Sequence, residues 1–233
     1  YYRWLYLTLS PIIQSIWRSA SAVVACSKGL RELAYHTNQS IKIDVIPDGL
    51  DLHRFFSIER NPDSTPVKIL TVGRLIPRKG FQFLIQALPD ICKQTNIDFR
   101  IQIVGDGPYR SELVELAENL HVTDKIEFLG SIDYDNLPKK YQEADIFTLC
   151  SLAEGMPLVV LEAMGTGLPI VASQVQGITD LVKTSINGEL FDPGDVKQLV
   201  KHLVKLIEDG EKRVKMGKKS TELAQGYDWK NIA

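Results

Sequence analysis

"VKILTVGRLIPRKGFQFLIQAL", residues 67–88, is the stretch that decides the fold. Val67 to Val72 has strand character, Gly73 ends it, and a loop carrying Arg74, Arg78 and Lys79 passes into a helical pattern over 80–95. The same figure repeats along the chain. Strand-like runs occur at 22–27, 41–47, 99–105, 125–130, 145–150 and 169–173, most of them ending in Gly, Ser or Pro. Helical patterns occupy 28–36, 109–120, 135–143, 157–166, 195–208 and 211–225. Strands alternating with helices of this length predict an α/β fold, a doubly wound parallel sheet covered on both faces. The Pro-rich, polar stretch "PDGLDLHRFFSIERNPDSTP" (47–66) interrupts the alternation. The expected organisation is therefore the end of one domain over 1–48, an interdomain linker over 49–66 and a Rossmann-like domain over 67–233.

Such sheets bind ligands outside the carboxyl ends of their strands, so the loops there hold the candidate chemistry. In the loop after residue 72, Gly73 lets the chain pass close to a ligand. Arg74 can fork two phosphate oxygens and Lys79 supplies a mobile point charge, a suitable pair for a diphosphate. A solvated basic surface loop would read the same way. In "IVGDGPYRSEL" (103–113), Gly105 and Gly107 open like a dinucleotide fingerprint, but Arg110 stands at the third glycine position. That weakens a nicotinamide or flavin reading, and a tight strand-to-helix turn accounts for both glycines.

The segment "AEGMPLVVLEAMGTGLPIVAS" (153–173) places Glu154 and Glu162 with seven residues between them in an otherwise apolar run. On an uninterrupted helix, positions eight apart differ by ~80° and need not share a face. Gly155 and Pro157 instead put Glu154 in a turn and Glu162 about one turn inside the following helix. Both carboxylates are then expected to line one cavity at the helix N-terminus. Unpaired N–H groups and partial positive charge make that end a natural place for an anion, which suggests a phosphate-bearing ligand with hydroxyls for the carboxylates.

Composition narrows the alternatives. The 233 residues are 44% hydrophobic and 24% charged, ordinary for a globular protein, and the net charge of −2 gives no reason to expect nucleic acid. Cys26, Cys92 and Cys150 are scattered, without C-x-x-C spacing, which argues against a disulfide framework and a zinc site and favours a reducing, cytoplasmic setting. His36, His53, His121 and His202 form no i, i+4 pair, so no metal centre is expected. Cys150 and Ser151 lack a G-x-S-x-G context, and the chain holds no P-loop. No run approaches the length of a membrane span. The cluster Tyr1, Tyr2, Trp4, Tyr6 and Trp17 reads as a buried helix of a preceding domain rather than a membrane-surface helix. The start at Tyr1, without a methionine or a signal-like region, reads as part of a longer protein.

Taken together, the motifs resemble the retaining glycosyltransferases of family 4, in the GT-B class. "ACSKGLRELA" and "IDVIPDGLDLHRF" are similar to the end of that family's N-terminal domain. "VGRLIPRKGFQFLIQAL" is similar to its G-R-L-x-x-x-K-G segment. "IVGDGPYRSEL", the run from "IEFLGSIDYDNL" to "GLPIVAS", and "NGELFDPGD" follow in the family's order.

The resemblance implies transfer of a hexose from a nucleoside-diphosphate sugar to an acceptor hydroxyl, in glycan or glycolipid biosynthesis, with no cofactor and no metal. It assigns Arg74 and Lys79 to the donor diphosphate and Glu154 to the donor sugar; these three are the catalytic candidates. It assigns Glu162 to the ribose and the backbone of Gly155, Met156, Pro157, Leu158 and Val159 to sugar and phosphate, and places Gly130, Ser131 and Ile132 beside the base. Gly73 and Gly105 complete the expected donor site. The acceptor is a sugar, a lipid-linked glycan or a small molecule, and peripheral association with the inner membrane surface would run through the preceding domain. The chain departs from the family's Gly-Gly-x-x-Glu, having Gln176 before Gly177 and Asp180 at the acidic position. The family's catalytic histidine belongs to the N-terminal domain, so an isolated chain of this extent is expected to be inactive. An alternative is a donor-binding module of a split glycosyltransferase; an epimerase or phosphorylase of the same class is a third reading.

Overall fold

The computed structural model describes residues 2–232, with side chains from Thr8 onward. Tyr1 and the side chains of Tyr2, Trp4 and Tyr6 lie outside the described residues. Helix α1 (Tyr2–Ser19) precedes a small unit of β1 (Val24–Ala25), α2 (Lys28–Tyr35) and β2 (Asp44–Val45), whose strands pair in parallel. Ser27 starts α2 by accepting the Leu30 N–H at 3.1 Å. Both strands are shorter than the sequence suggests, because each pairs only with the other and Val24 and Ile46 stay exposed.

The rest of the chain winds the expected sheet. In order come β3 (Val67–Val72), α3 (Phe81–Gln94), β4 (Phe99–Val104), α4 (Arg110–Asn119), β5 (Ile126–Gly130), α5 (Leu137–Glu143), β6 (Ile146–Leu149), α6 (Leu158–Gly165), β7 (Ile170–Ser173), α7 (Ile178–Leu181), β8 (Gly188–Phe191), α8 (Val196–Glu208), α9 (Gly210–Ala224) and α10 (Trp229–Ile232). The six strands are parallel in the order β5-β4-β3-β6-β7-β8. The chain thus winds outward from β3 to β5, returns to place β6 beside β3, and winds outward again. The turning point lies between β3 and β6, where strand ends diverge and leave a crevice.

Strands covered on both faces need apolar residues at nearly every position. β6 and β7 are buried throughout, and β3 and β4 at all but one position each. One core packs Leu84, Ile85, Leu88, Leu113 and Leu203 against Ile69 and Ile101; the other packs Tyr141, Val160, Leu161 and Met164 against Leu70, Phe147 and Ile170. The sequence did not mark β8 or α7. β8 has four residues and buries a charge, Glu189, whose Oε1 meets Lys205 Nζ at 3.4 Å and Lys212 Nζ at 3.3 Å. α7 is a single turn.

Residues 49–66 form no helix, yet they are anchored. The Arg60 guanidinium donates to the carbonyls of Tyr141, Gln142 and Ala144 at the end of α5, and to those of Thr166 and Gly167 after α6. A cation set where two helices end on their carbonyls serves both hydrogen bonding and the helix dipoles. Burial lowers its pKa to about 10, so it stays charged at neutral pH. The C-terminal residues return to the same segment: Leu50 N–H donates to Tyr227 O at 2.7 Å, and Trp229 N–H to Leu50 O at 3.2 Å. Among the described residues no helix is long and apolar enough to cross a membrane.

Candidate functional site

The loops after β3 and β6 meet at the crevice. After Arg74 the chain makes a 3-10 turn, Pro77–Lys79, closed by Gly80 at φ 73°. A Cβ on Gly80 would collide with the Cys150 carbonyl oxygen, so only glycine lets this turn lie against the end of β6. Leu152 N–H donates to Arg78 O at 2.8 Å, which locks the two loops together. Across that junction Lys79 Nζ stands 2.7 Å from Glu154 Oε1, and the Ser151 hydroxyl donates to the same oxygen at 2.6 Å. The pair is shielded, with side-chain exposures of 18% and 9%.

Beside it a cleft of about 260 Å³ runs over the ends of β3, β4 and β5. Gly73, Arg74, Gly105, Asp106, Ser131 and Ile132 line it with Val72, Val104 and Leu137, so five of the expected residues come together here. Their glycines differ in kind. Gly105, at φ 132°, packs on the Gly73 carbonyl and is required by the strand ends themselves. A Cβ on Gly73 would meet nothing nearer than Phe81 Cζ at 3.6 Å, so the fold tolerates a side chain there. Gly130 has φ 69° with open space around it.

Helix α6 starts after Pro157 with no side chain capping it, whereas Ser27, Asp195 and Asp209 cap α2, α8 and α9. The N–H groups of its first turn, at Leu158 and Val159, are the kind of free donors an anion can meet. Glu154, Gly155 and Met156 form the turn before it. Gly155 backs onto Leu30 and Cys26, and Met156 Sδ accepts the Asp48 N–H at 3.2 Å. Glu162 lies within α6, 4% exposed, and its Oε2 accepts the Tyr141 hydroxyl at 2.7 Å. Burial lifts its carboxyl above the usual range, while Tyr141 and then Arg54 pull it back. The two carboxylates expected around one cavity therefore hold separate partners, Lys79 and Ser151 for Glu154 and Tyr141 for Glu162.

Tyr141 and Arg54 escaped the sequence reading. Tyr141 gives no spacing signal relative to Glu162. Arg54 stands 4.2 Å over the Tyr134 ring and pairs with Asp135. Asp180 Oδ2 accepts the Lys28 N–H at 2.7 Å, so this shortened carboxylate ties α2 to the large sheet's domain. The Cys150 thiol is buried and pushed up to about 12, which makes it inert. Among the described residues no group of three or more His, Cys, Asp or Glu is placed to hold a metal ion.

The sequence profile of the glycosyl transferases group 1 matches residues 54–223 of the 233. The chain belongs to that family. Among its group 1 relatives, the sulfoquinovosyl transferase of Arabidopsis thaliana is 30% identical over 98% of this chain and 46% of its own length. This group 1 chain spans about half the length of the curated relatives it matches. Its fold is that of GT-B glycosyltransferases. Sucrose-phosphate synthase from Thermosynechococcus elongatus superposes with a TM-score of 0.86 at 25% identity, covering 97% of this chain and 59% of that one. HepE of Anabaena, solved with UDP and glucose, gives 0.81 at 26% identity, covering 92% and 61%.

Proposed function

We propose that this chain is the donor-binding part of a retaining glycosyltransferase of family 4, which transfers a hexose from a nucleoside-diphosphate sugar to an acceptor hydroxyl. The observation that carries the reading is the Lys79–Glu154 pair at the turning point of the sheet, with Arg74 in the adjoining cleft and the uncapped start of α6 close by. Breaking the sugar–phosphate bond leaves charge on the diphosphate and makes the sugar oxocarbenium-like. Groups that gain interaction energy as that charge grows lower the barrier. Arg74, Lys79 and the first amides of α6 are such groups, and their charge takes the place of a metal ion. Glu154 accepts from a sugar hydroxyl, Glu162 from the ribose, and Gly130 to Ile132 border the base. The acceptor attacks the face from which the diphosphate leaves, assisted by that leaving group, without an enzymic nucleophile.

Residues 1–48 are, in this reading, the end of the acceptor-side domain, 49–66 the linker and 67–233 the donor domain. That HepE was solved with UDP and glucose supports the donor class. The test is calorimetry of the chain against a panel of nucleotide sugars with and without EDTA. One of them should bind with unchanged affinity in EDTA; failure of the whole panel, or loss of binding on chelation, would refute the reading.

A further inference from the structure

We propose that Tyr141 is a positioning residue of the donor site, its hydroxyl holding one oxygen of Glu162 so that the other is presented to the ribose of a nucleoside diphosphate. This rests on the ribose role proposed for Glu162. Tyr141 is fully buried and its ring is wedged between Phe55 and Phe147, with centroids 5.8 Å away in each case. A ring fixed on two sides fixes its hydroxyl, whereas a glutamate alone has three torsions to settle. The 2.7 Å bond between them transfers that rigidity to the carboxylate. The same helix also reaches the cleft, because Leu137 at its start lines the wall with Ser131 and Ile132. The partner of Glu162 and one wall of the cleft beside Ser131 and Ile132 then hang on one rigid element, α5.

The electrostatics agree with a tyrosine that stays a donor and a glutamate that needs one. Burial and then the Glu162 charge hold the Tyr141 phenol well above its usual value. The groups acting on Glu162 are Tyr141 from α5, Tyr134 from the loop before it and Arg54 from the segment before β3. Arg54 is shared with Asp135 and the Tyr134 ring, so Tyr141 is the partner in direct hydrogen-bond contact.

The test uses whichever of UDP, GDP, ADP and CDP the unmodified chain binds most tightly, together with its 2′,3′-dideoxy analogue. The ratio of the two affinities isolates the ribose hydroxyls. Tyr141→Phe should lower that ratio about three- to ten-fold while changing binding of the dideoxy analogue less than about two-fold. Equal losses for both ligands would make Tyr141 a core residue only and overturn the proposal. The pH profile gives a second readout. Ribonucleotide binding should fade as pH falls and Glu162 takes up a proton, and the midpoint should move upward in Tyr141→Phe; an unmoved midpoint counts against the proposal. If that variant does not fold, 3-fluorotyrosine at position 141 keeps the ring and strengthens the donor, so the midpoint must move down. Glu162→Gln keeps an acceptor for Tyr141; if it leaves the affinity ratio intact, the ribose reading itself has failed. Binding of none of UDP, GDP, ADP and CDP would overturn both together.

Discussion

Replacing Glu154 with glutamine should tighten the binding of a free nucleoside diphosphate. Lys79 Nζ lies 2.7 Å from Glu154 Oε1, both side chains mostly shielded, so an arriving diphosphate must share this ammonium with a carboxylate that also repels it. Unit charges about 4 Å apart attract by ~4 kcal/mol at an effective dielectric near 20. Desolvation offsets most of that, leaving about 1–2 kcal/mol for a partly buried pair. Removing the negative charge frees Lys79, and that energy corresponds to roughly 5- to 30-fold tighter binding. Glutamine still accepts from Ser151, which bonds Glu154 Oε1 at 2.6 Å, so the loop should keep its shape. The sugar-bearing donor behaves differently, because it loses a hydrogen bond to a charged acceptor worth about 1.5–3 kcal/mol. Its advantage over the free nucleotide should therefore fall by about ten-fold or more. Parallel calorimetry at fixed salt, for Glu154→Gln and the unmodified chain, reads both numbers. Equal weakening of the two ligands, or no change in the free nucleotide, would refute the reasoning.

Gly73→Ala should melt as the unmodified chain does, since its Cβ meets nothing nearer than 3.6 Å, yet bind nucleotide more weakly because the methyl stands beside Lys79 in the crevice. Gly80→Ala should lose about 2 kcal/mol or more in denaturant unfolding, because φ 73° is strained for alanine and the Cβ strikes Cys150 O. Arg60→Met removes the guanidinium from five carbonyls and should destabilise by about 3 kcal/mol or more, without changing nucleotide affinity in the folded fraction. The Gln198 N–H holds Asp195 below its unfolded value of 3.8, so the stability it lends is full above 3.8 and is lost as pH falls through the lower folded value. Asp195→Asn should flatten that part of an acid melting series.

The winding of the large sheet was legible because its strands are apolar runs closed by glycine and its helices carry a 3.6-residue apolar stripe. Five of the six strands and the main helices fall where the pattern put them. β8 was not legible: four residues with a buried Glu189 carry no strand signal until Lys205 and Lys212, far along the chain, neutralise the charge. The basic loop and the turn before α6 announced Lys79 and Glu154 singly. Their pairing depends on β6 returning to the side of β3, which no local pattern encodes. Arg54 and Arg60 lie in a stretch whose composition is that of a linker, although one reaches the environment of Glu162 and the other gathers two helix ends. Asp180 stands at the family's acidic position as a shorter carboxylate, and its partner is the Lys28 amide, distant in the chain.

The most direct test of the donor-site assignment is a crystal structure of this chain with a bound nucleoside-diphosphate sugar, grown in the presence of EDTA. The diphosphate should lie between the loops after β3 and β6, within hydrogen-bond distance of Arg74, Lys79 and the first amides of α6, with the sugar on Glu154 and the ribose on Glu162. A diphosphate ordered elsewhere on the chain, with Lys79 still paired to Glu154 and the cleft over β3, β4 and β5 unfilled, would contradict it.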